Sequence, residues 1–140
     1  MEWSKIKVNQ EIELVKPPIE KVQLVKYAGA SGDFNLIHTD DETARKSGLP
    51  GVIAHGMFSM GFLGQLVSNI VGNDGFVSRL QVRFVGMVRP GDTVTCKAIV
   101  VAKDEEKRTV DLEISTEKQP GQASTIGQAS IKFFSPVGQA

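Results

Sequence analysis

Apolar residues change their period twice along this chain of 140 residues. Residues 6–14 alternate polar and apolar in the manner of a strand, which Pro17-Pro18 ends. From Ile19 to Ala30 a helix is predicted. Ile19, Val22, Leu24 and Val25 fall at helical spacings there, with Glu20, Lys21 and Lys26 outside. Gly29, Ser31 and Gly32 weaken that helix and open a loop running to His38. Thr39-Asp40-Asp41-Glu42 has capping-box spacing and predicts a short helix ending at Ser47-Gly48, with Gly48 as a left-handed cap. After the turn Leu49–Val52, the stretch Gly56–Val71 is apolar around most of its circumference. A long helix enclosed by other structure is expected there. From Phe76 the period becomes two, and residues 76–88, 93–103, 109–117 and 124–135 read as four strands. Turn-forming residues join them at Arg89-Pro90-Gly91-Asp92, Asp104–Lys107 and Gln119-Pro120-Gly121-Gln122. Such short connections imply antiparallel neighbours. The expected fold class is α+β: five antiparallel strands around one long apolar helix, in one domain over residues 1–140.

Composition narrows the partners. A hydrophobic content of 41% with 23% charged residues is that of a globular protein. Sixteen basic residues balance sixteen acidic ones, which leaves no field for nucleic acid or an anionic membrane. The longest apolar stretch, Met57–Val71, is interrupted by small and polar residues and is shorter than the roughly 20 residues a bilayer span needs. Met1–Lys5 leads into no signal-peptide core, so a cytoplasmic protein is expected. Cys96 is the single cysteine and shares the apolar parity of its strand, which predicts a small core residue.

The chemistry concentrates between Tyr27 and Met57. Asp33, Asn35 and His38 put a carboxylate, a carboxamide and an imidazole into one glycine-marked loop. A positioned histidine and carboxylate can move two protons in one turnover, which suits adding water across a polarised double bond. Asn35 is available to orient either group or the attacking water. The start of the long helix offers unpaired N–H groups, and Gly56 permits close approach of a ligand oxygen, so an enolate-like oxyanion has a donor there. His55 is expected to cap or hydrogen-bond this helix start. Asp40, Asp41 and Glu42 read as capping and solvated charge. A Gly-Asp-x-Asn turn accounts for the loop equally well on local grounds. The spacing of Asp33, His38 and His55 matches no established ligand pattern, so no metal is expected. Arg79, Gln81 and Arg83 share one strand face, available to a phosphate or simply solvated.

The run Tyr27-Ala28-Gly29-Ala30-Ser31-Gly32-Asp33-Phe34-Asn35-Leu36-Ile37-His38 resembles the signature loop of the MaoC-like (R)-specific enoyl-CoA hydratases and dehydratases. The likeness continues through Asp40, Ala44, Gly48 and Leu49 to Ile53-Ala54-His55-Gly56-Met57. It implies a hot-dog fold with a short overhanging segment that carries the site, and a dimer made by joining two sheets. It implies Asp33 and His38 as the catalytic pair and the Gly56 N–H as donor to a thioester oxygen. Asn35, Ser31, Tyr27, Met57 and His55 become supporting or substrate-binding residues. The implied reaction is reversible hydration of a trans-2-enoyl-CoA to an (R)-3-hydroxyacyl-CoA. The implied partner is the acyl-CoA thioester substrate, with coenzyme A as part of it, and no separate cofactor is implied. A homodimer or higher homo-oligomer is expected, with a heterodimer as the variant. The alternatives are a 3-hydroxyacyl-carrier-protein dehydratase subunit of fatty-acid synthesis and a silent acyl-CoA-binding subunit. Two positions depart from the family. Leu36 stands where proline is usual, and Gly64 stands where some members carry serine.

Overall fold

The computed structural model describes residues 1–136. Five strands form one sheet: β1 Glu11–Val15, β2 Gly75–Phe84, β3 Thr95–Asp104, β4 Thr109–Gln119 and β5 Gln122–Phe133. The order across the sheet is β1-β3-β4-β5-β2, and every neighbouring pair is antiparallel. Three helices lie before β2: α1 Lys21–Ser31, α2 Asp41–Lys46 and α3 Gly56–Val71. The expected α+β architecture is therefore present, with all four later strands in place and α3 at its predicted bounds.

The core lies between α3 and one face of the sheet. Leu63, Leu66, Val67 and Ile70 of α3 are buried with Val100, Leu112, Ile131 and Phe133 of the strands. Each such side chain contributes about 1.5–3 kcal/mol by leaving water. Cys96 takes its predicted place in this core, and burial raises its thiol pKa to about 11, so it is an unreactive filler. Enclosure of α3 is only partial in this chain. Met57, Gly61, Gln65, Ser68 and Asn69 form an exposed stripe, because a single sheet layer covers one side of a helix. No helix among the described residues is long and apolar enough to cross a membrane.

Several boundaries differ from the periodicity. β1 starts at Glu11 rather than residue 6, because a turn intervenes in which Gln10 N–H returns to Lys7 O (3.1 Å) and Asn9 takes a φ of 70°. Ile6 reaches the core, whereas Val8 is left exposed. In α1 only Leu24 and Ala28 are buried, while Val22 and Val25 face outward. β2 stops at Phe84, four residues short of its predicted end, because Val85 and Gly86 N–H groups both turn to Ser124 O. The cap of α2 is Asp40, whose carboxylate accepts from Thr43 N–H (3.2 Å); Thr39 instead closes the preceding 3₁₀ turn. Glu42 is exposed and pairs with Lys46 along the helix at 3.2 Å.

Candidate active site

The loop between α1 and α2 is ordered mainly by its own side chains. Gly32 ends α1 with φ 75°, a conformation that costs glycine nothing. Ser31 Oγ then accepts Asp33 N–H (3.2 Å), and Asp33 Oδ1 accepts Asn35 N–H (3.2 Å). Asn35 Oδ1 accepts Ile37 N–H (3.2 Å) and so caps the 3₁₀ turn Leu36–His38. Three consecutive side-chain turns thus deliver His38 to the protein interior. Asn35 Oδ1 is thus committed to this capping bond, which leaves its amide Nδ2 for any orienting role.

His38 is only 8% exposed. Its Nδ1 lies 2.7 Å from Ile53 O, and because a carbonyl can only accept, Nδ1 carries the proton. Nε2 of the neutral ring is then a free lone pair, 3.9 Å from Asp33 Oδ2. The Asp33 carboxylate is about half exposed. The two groups are too far apart for a direct hydrogen bond, yet close enough for one water lying off the line between them to reach both.

His55 joins them. Its ring stacks on His38 with centroids 3.8 Å apart and planes 23° from parallel, and its Nε2–H donates to Asp33 O at 3.2 Å. It makes no capping bond to α3, contrary to the role expected for it. It is 2% exposed, and its Nδ1 is buried without a partner. Burial holds His55 below the ordinary imidazole range, and neighbouring His38 acts in the same direction against the Asp33 carbonyl and carboxylate. A neutral His55 suits a place beside a base that must itself accept a proton. Tyr27 packs edge-on against His55 (4.8 Å) and Phe58 (5.4 Å). Met57 is exposed. Asp33, His38 and His55 have polar atoms within 4.8 Å of one another. An ion bonded at about 2 Å to both rings would have to lie in both ring planes, and stacked planes do not meet within that distance.

Gly56 opens α3, and Phe58 N–H turns back to His55 O (3.0 Å), so the N–H groups of Gly56 and Met57 have no intrahelical acceptor. A Cβ on Gly56 would stand 2.9 Å from the Phe84 ring. Phe84, from the end of β2, therefore covers the helix start, a neighbour that nothing in the local sequence indicates. Gly64, by contrast, has only Leu80 within reach of a Cβ, at 3.8 Å, so serine would fit there. Arg79, Gln81 and Arg83 lie together on the exposed face of β2.

Comparison with known proteins places the family and the fold. The family described as MaoC like domain matches residues 5–137. The (R)-specific enoyl-CoA hydratase of Rhodospirillum rubrum is 31% identical over 127 residues, which cover 90% of this chain and 87% of that one. The structure of the (R)-hydratase from A. caviae involved in PHA biosynthesis superposes with a TM-score of 0.85 at 26% identity, over 93% of this chain and 98% of that one. The fold is the hot-dog fold that the signature loop implied. The fatty acid synthase beta subunit TOXC of Cochliobolus carbonum is 34% identical over 107 residues, 75% of this chain. The chain spans only 5% of that subunit's length and 4% of the corresponding subunit from Aspergillus oryzae.

Proposed function

The chain belongs to the MaoC-like domain family, and on that premise we propose that it is a hydro-lyase of fatty-acid metabolism, adding water to trans-2-enoyl-CoA to give (R)-3-hydroxyacyl-CoA. The observation that carries this reading is the placement of His38 Nε2, the ring nitrogen left over by the Nδ1–H bond to Ile53 O, 3.9 Å from the Asp33 carboxylate. In the proposed step the oxygen of water bonds to C3 while one of its protons passes to His38 Nε2. The displaced π electrons reach the thioester oxygen, where the Gly56 N–H stabilises the enolate. Collapse of the enolate takes up at C2 the proton that His38 received, with Asp33 taking part in its delivery, so one water is added and His38 returns to its starting form. Dehydration is the same path reversed. The reading carries with it a cytoplasmic setting, no metal or redox cofactor, and a homodimer.

Loss of enoyl absorbance on hydration of crotonyl-CoA tests it. Asp33→Asn and His38→Ala are each expected to lower kcat by about 10²–10⁴-fold while remaining folded, the range for general acid–base groups. Wild-type rates in both folded variants would sink the dyad. A second reading is favoured by the likeness to fungal fatty acid synthase beta subunits: dehydration of a 3-hydroxyacyl group on a carrier protein. Crotonyl-CoA and crotonyl carrier protein assayed side by side separate the two readings by kcat/KM. If the wild type turns over neither, a silent acyl-CoA-binding subunit takes their place.

A further inference from the structure

We infer that Asp41 is a positioning residue for His38, acting through the turn that carries Ile53; this rests on the reading of His38 as the base. Asp41 is the first residue of α2, where an acidic side chain ordinarily serves its own helix. That task is already done by Asp40, which caps α2 through Thr43 N–H. Both Asp41 oxygens point elsewhere. Oδ1 accepts the N–H of Val52 at 2.9 Å, and Oδ2 receives Lys21 Nζ of α1 at 2.9 Å.

The turn so held leads directly to the atom that fixes the base. Ile53 follows Val52, its N–H donates to Ile37 O at 3.1 Å, and its carbonyl accepts His38 Nδ1–H at 2.7 Å. The N–H of the same peptide, on Ala54, is taken by Val88 O at 2.7 Å. The carbonyl is therefore pinned on its far side by the loop after β2 and on its near side by Ile37 O, with Asp41 holding the peptide before that. Gly51, just before Val52, is closely approached by the same carboxylate. A Cβ there would meet Asp41 Oδ1 at 3.1 Å and Arg89 Nη2 at 3.3 Å, and Arg89 also reaches Pro50 O at 3.4 Å. Removing the Asp41 carboxylate frees Val52 N–H and lets the turn drift. The Ile53 carbonyl then no longer enforces the Nδ1–H tautomer, and His38 Nε2 spends part of its time protonated and useless as a base. A misplacement of about 1 Å in such a group costs up to about 100-fold in rate.

The experiment compares wild type with Asp41→Ala, Asp41→Asn and Lys21→Met. It measures kcat and KM on crotonyl-CoA, and it reads the His38 tautomer from imidazole ¹⁵N shifts. Asp41→Ala is expected to lose about 10- to 100-fold in kcat with KM within about two-fold, and to show a new Nε2–H form of His38. Asp41→Asn keeps an acceptor for Val52 N–H and is expected to recover most of the rate and the Nδ1–H form. Lys21→Met leaves the Oδ1 bond untouched and is expected to resemble wild type in both. An unchanged His38 tautomer in Asp41→Ala overturns the inference. So do equal losses in the alanine and asparagine variants that follow the folded fraction, since a purely structural role gives that result. If Asp41→Ala does not fold, Asp41→Leu, close to asparagine in shape but without an acceptor for Val52 N–H, is held to the same criterion against Asp41→Asn. If the wild type hydrates no enoyl thioester, the proposed function fails, while the imidazole spectra still judge the link from Asp41 to His38.

Discussion

Between Gly75 and Phe133 the chain is held by backbone ladders of four strands and by buried side chains such as Leu112, Ile131 and Phe133. Between Ser31 and Gly56 there is no strand, and the short helical turns are supplemented by side chains: Ser31, Asp33, Asn35, Asp40 and Asp41 each accept a backbone N–H. Most of those acceptors are exposed or half-exposed. A sheet distributes its stability over many equivalent contacts, whereas the segment depends on a few specific ones, each worth about 1 kcal/mol or somewhat more when the acceptor is charged. The difference teaches where to expect stability effects and where to expect rate effects. Truncation in the sheet should cost folding free energy, and truncation in the segment should cost rate.

The largest expected effect lies on the sheet side. Leu112→Ala removes a side chain that is 1% exposed and should lower the unfolding free energy by about 2–5 kcal/mol. In urea titrations the midpoint falls, while kcat per folded molecule stays at the wild-type value. A fall in that kcat would show that the sheet also sets the site, and the contrast would break. Next comes the helix start, where the two regions touch. Gly56→Pro and Gly56→Ala both place a Cβ against Phe84, but only proline deletes the N–H, and proline suits the first position of a helix. His55, at φ −59° and ψ 138°, already has the conformation that precedes proline. The proline variant should show a kcat about 10²–10³-fold below the alanine variant in the same hydration assay. Equal rates would remove Gly56 from the chemistry and leave Phe84 as the reason for the glycine. The smallest effect sharpens the segment itself. Leu36 begins its 3₁₀ turn after Asn35 at φ −58° and ψ 122°, a geometry ready for proline. Leu36→Pro should raise the unfolding free energy by about 0.4–1 kcal/mol through the unfolded chain, with the hydration rate unchanged. A loss of rate would mean that the loop needs the freedom leucine gives it.

Parts of this structure were plain in the residues. The bounds of α3 followed from a long apolar run closed by Gly72, and the strand turns from their glycines, prolines and aspartates. Asp33 and His38 stood out because the bonds that shape their loop span only two residues, so spacing in the chain is spacing in space. The early start predicted for β1 failed where Ile6 turned in and Val8 turned out, a choice made by the neighbouring Val100 carbonyl that receives Asn9 N–H at 2.7 Å. The overlong β2 failed likewise, because Ser124, almost forty residues away, captures the chain after Phe84.

Five antiparallel strands around one long helix, and a loop holding Asp33 and His38, were readable from periodicity and from contacts a few residues apart. The hot-dog assignment and the pairing of Asp33 with His38 as acid and base came instead from the family likeness. Tertiary structure alone decided what surrounds them. The tautomer of His38 is set by Ile53, fifteen residues on, and His55 turned from an expected cap into a stacked neighbour that holds Asp33. Asp41 turned from a helix charge into a grip on Val52, and Gly56 is covered by Phe84 from the far end of β2. Those roles depend on which atoms folding brings within about 3 Å, and hydrogen-bond and steric forces decay too steeply with distance for any local pattern to carry that information.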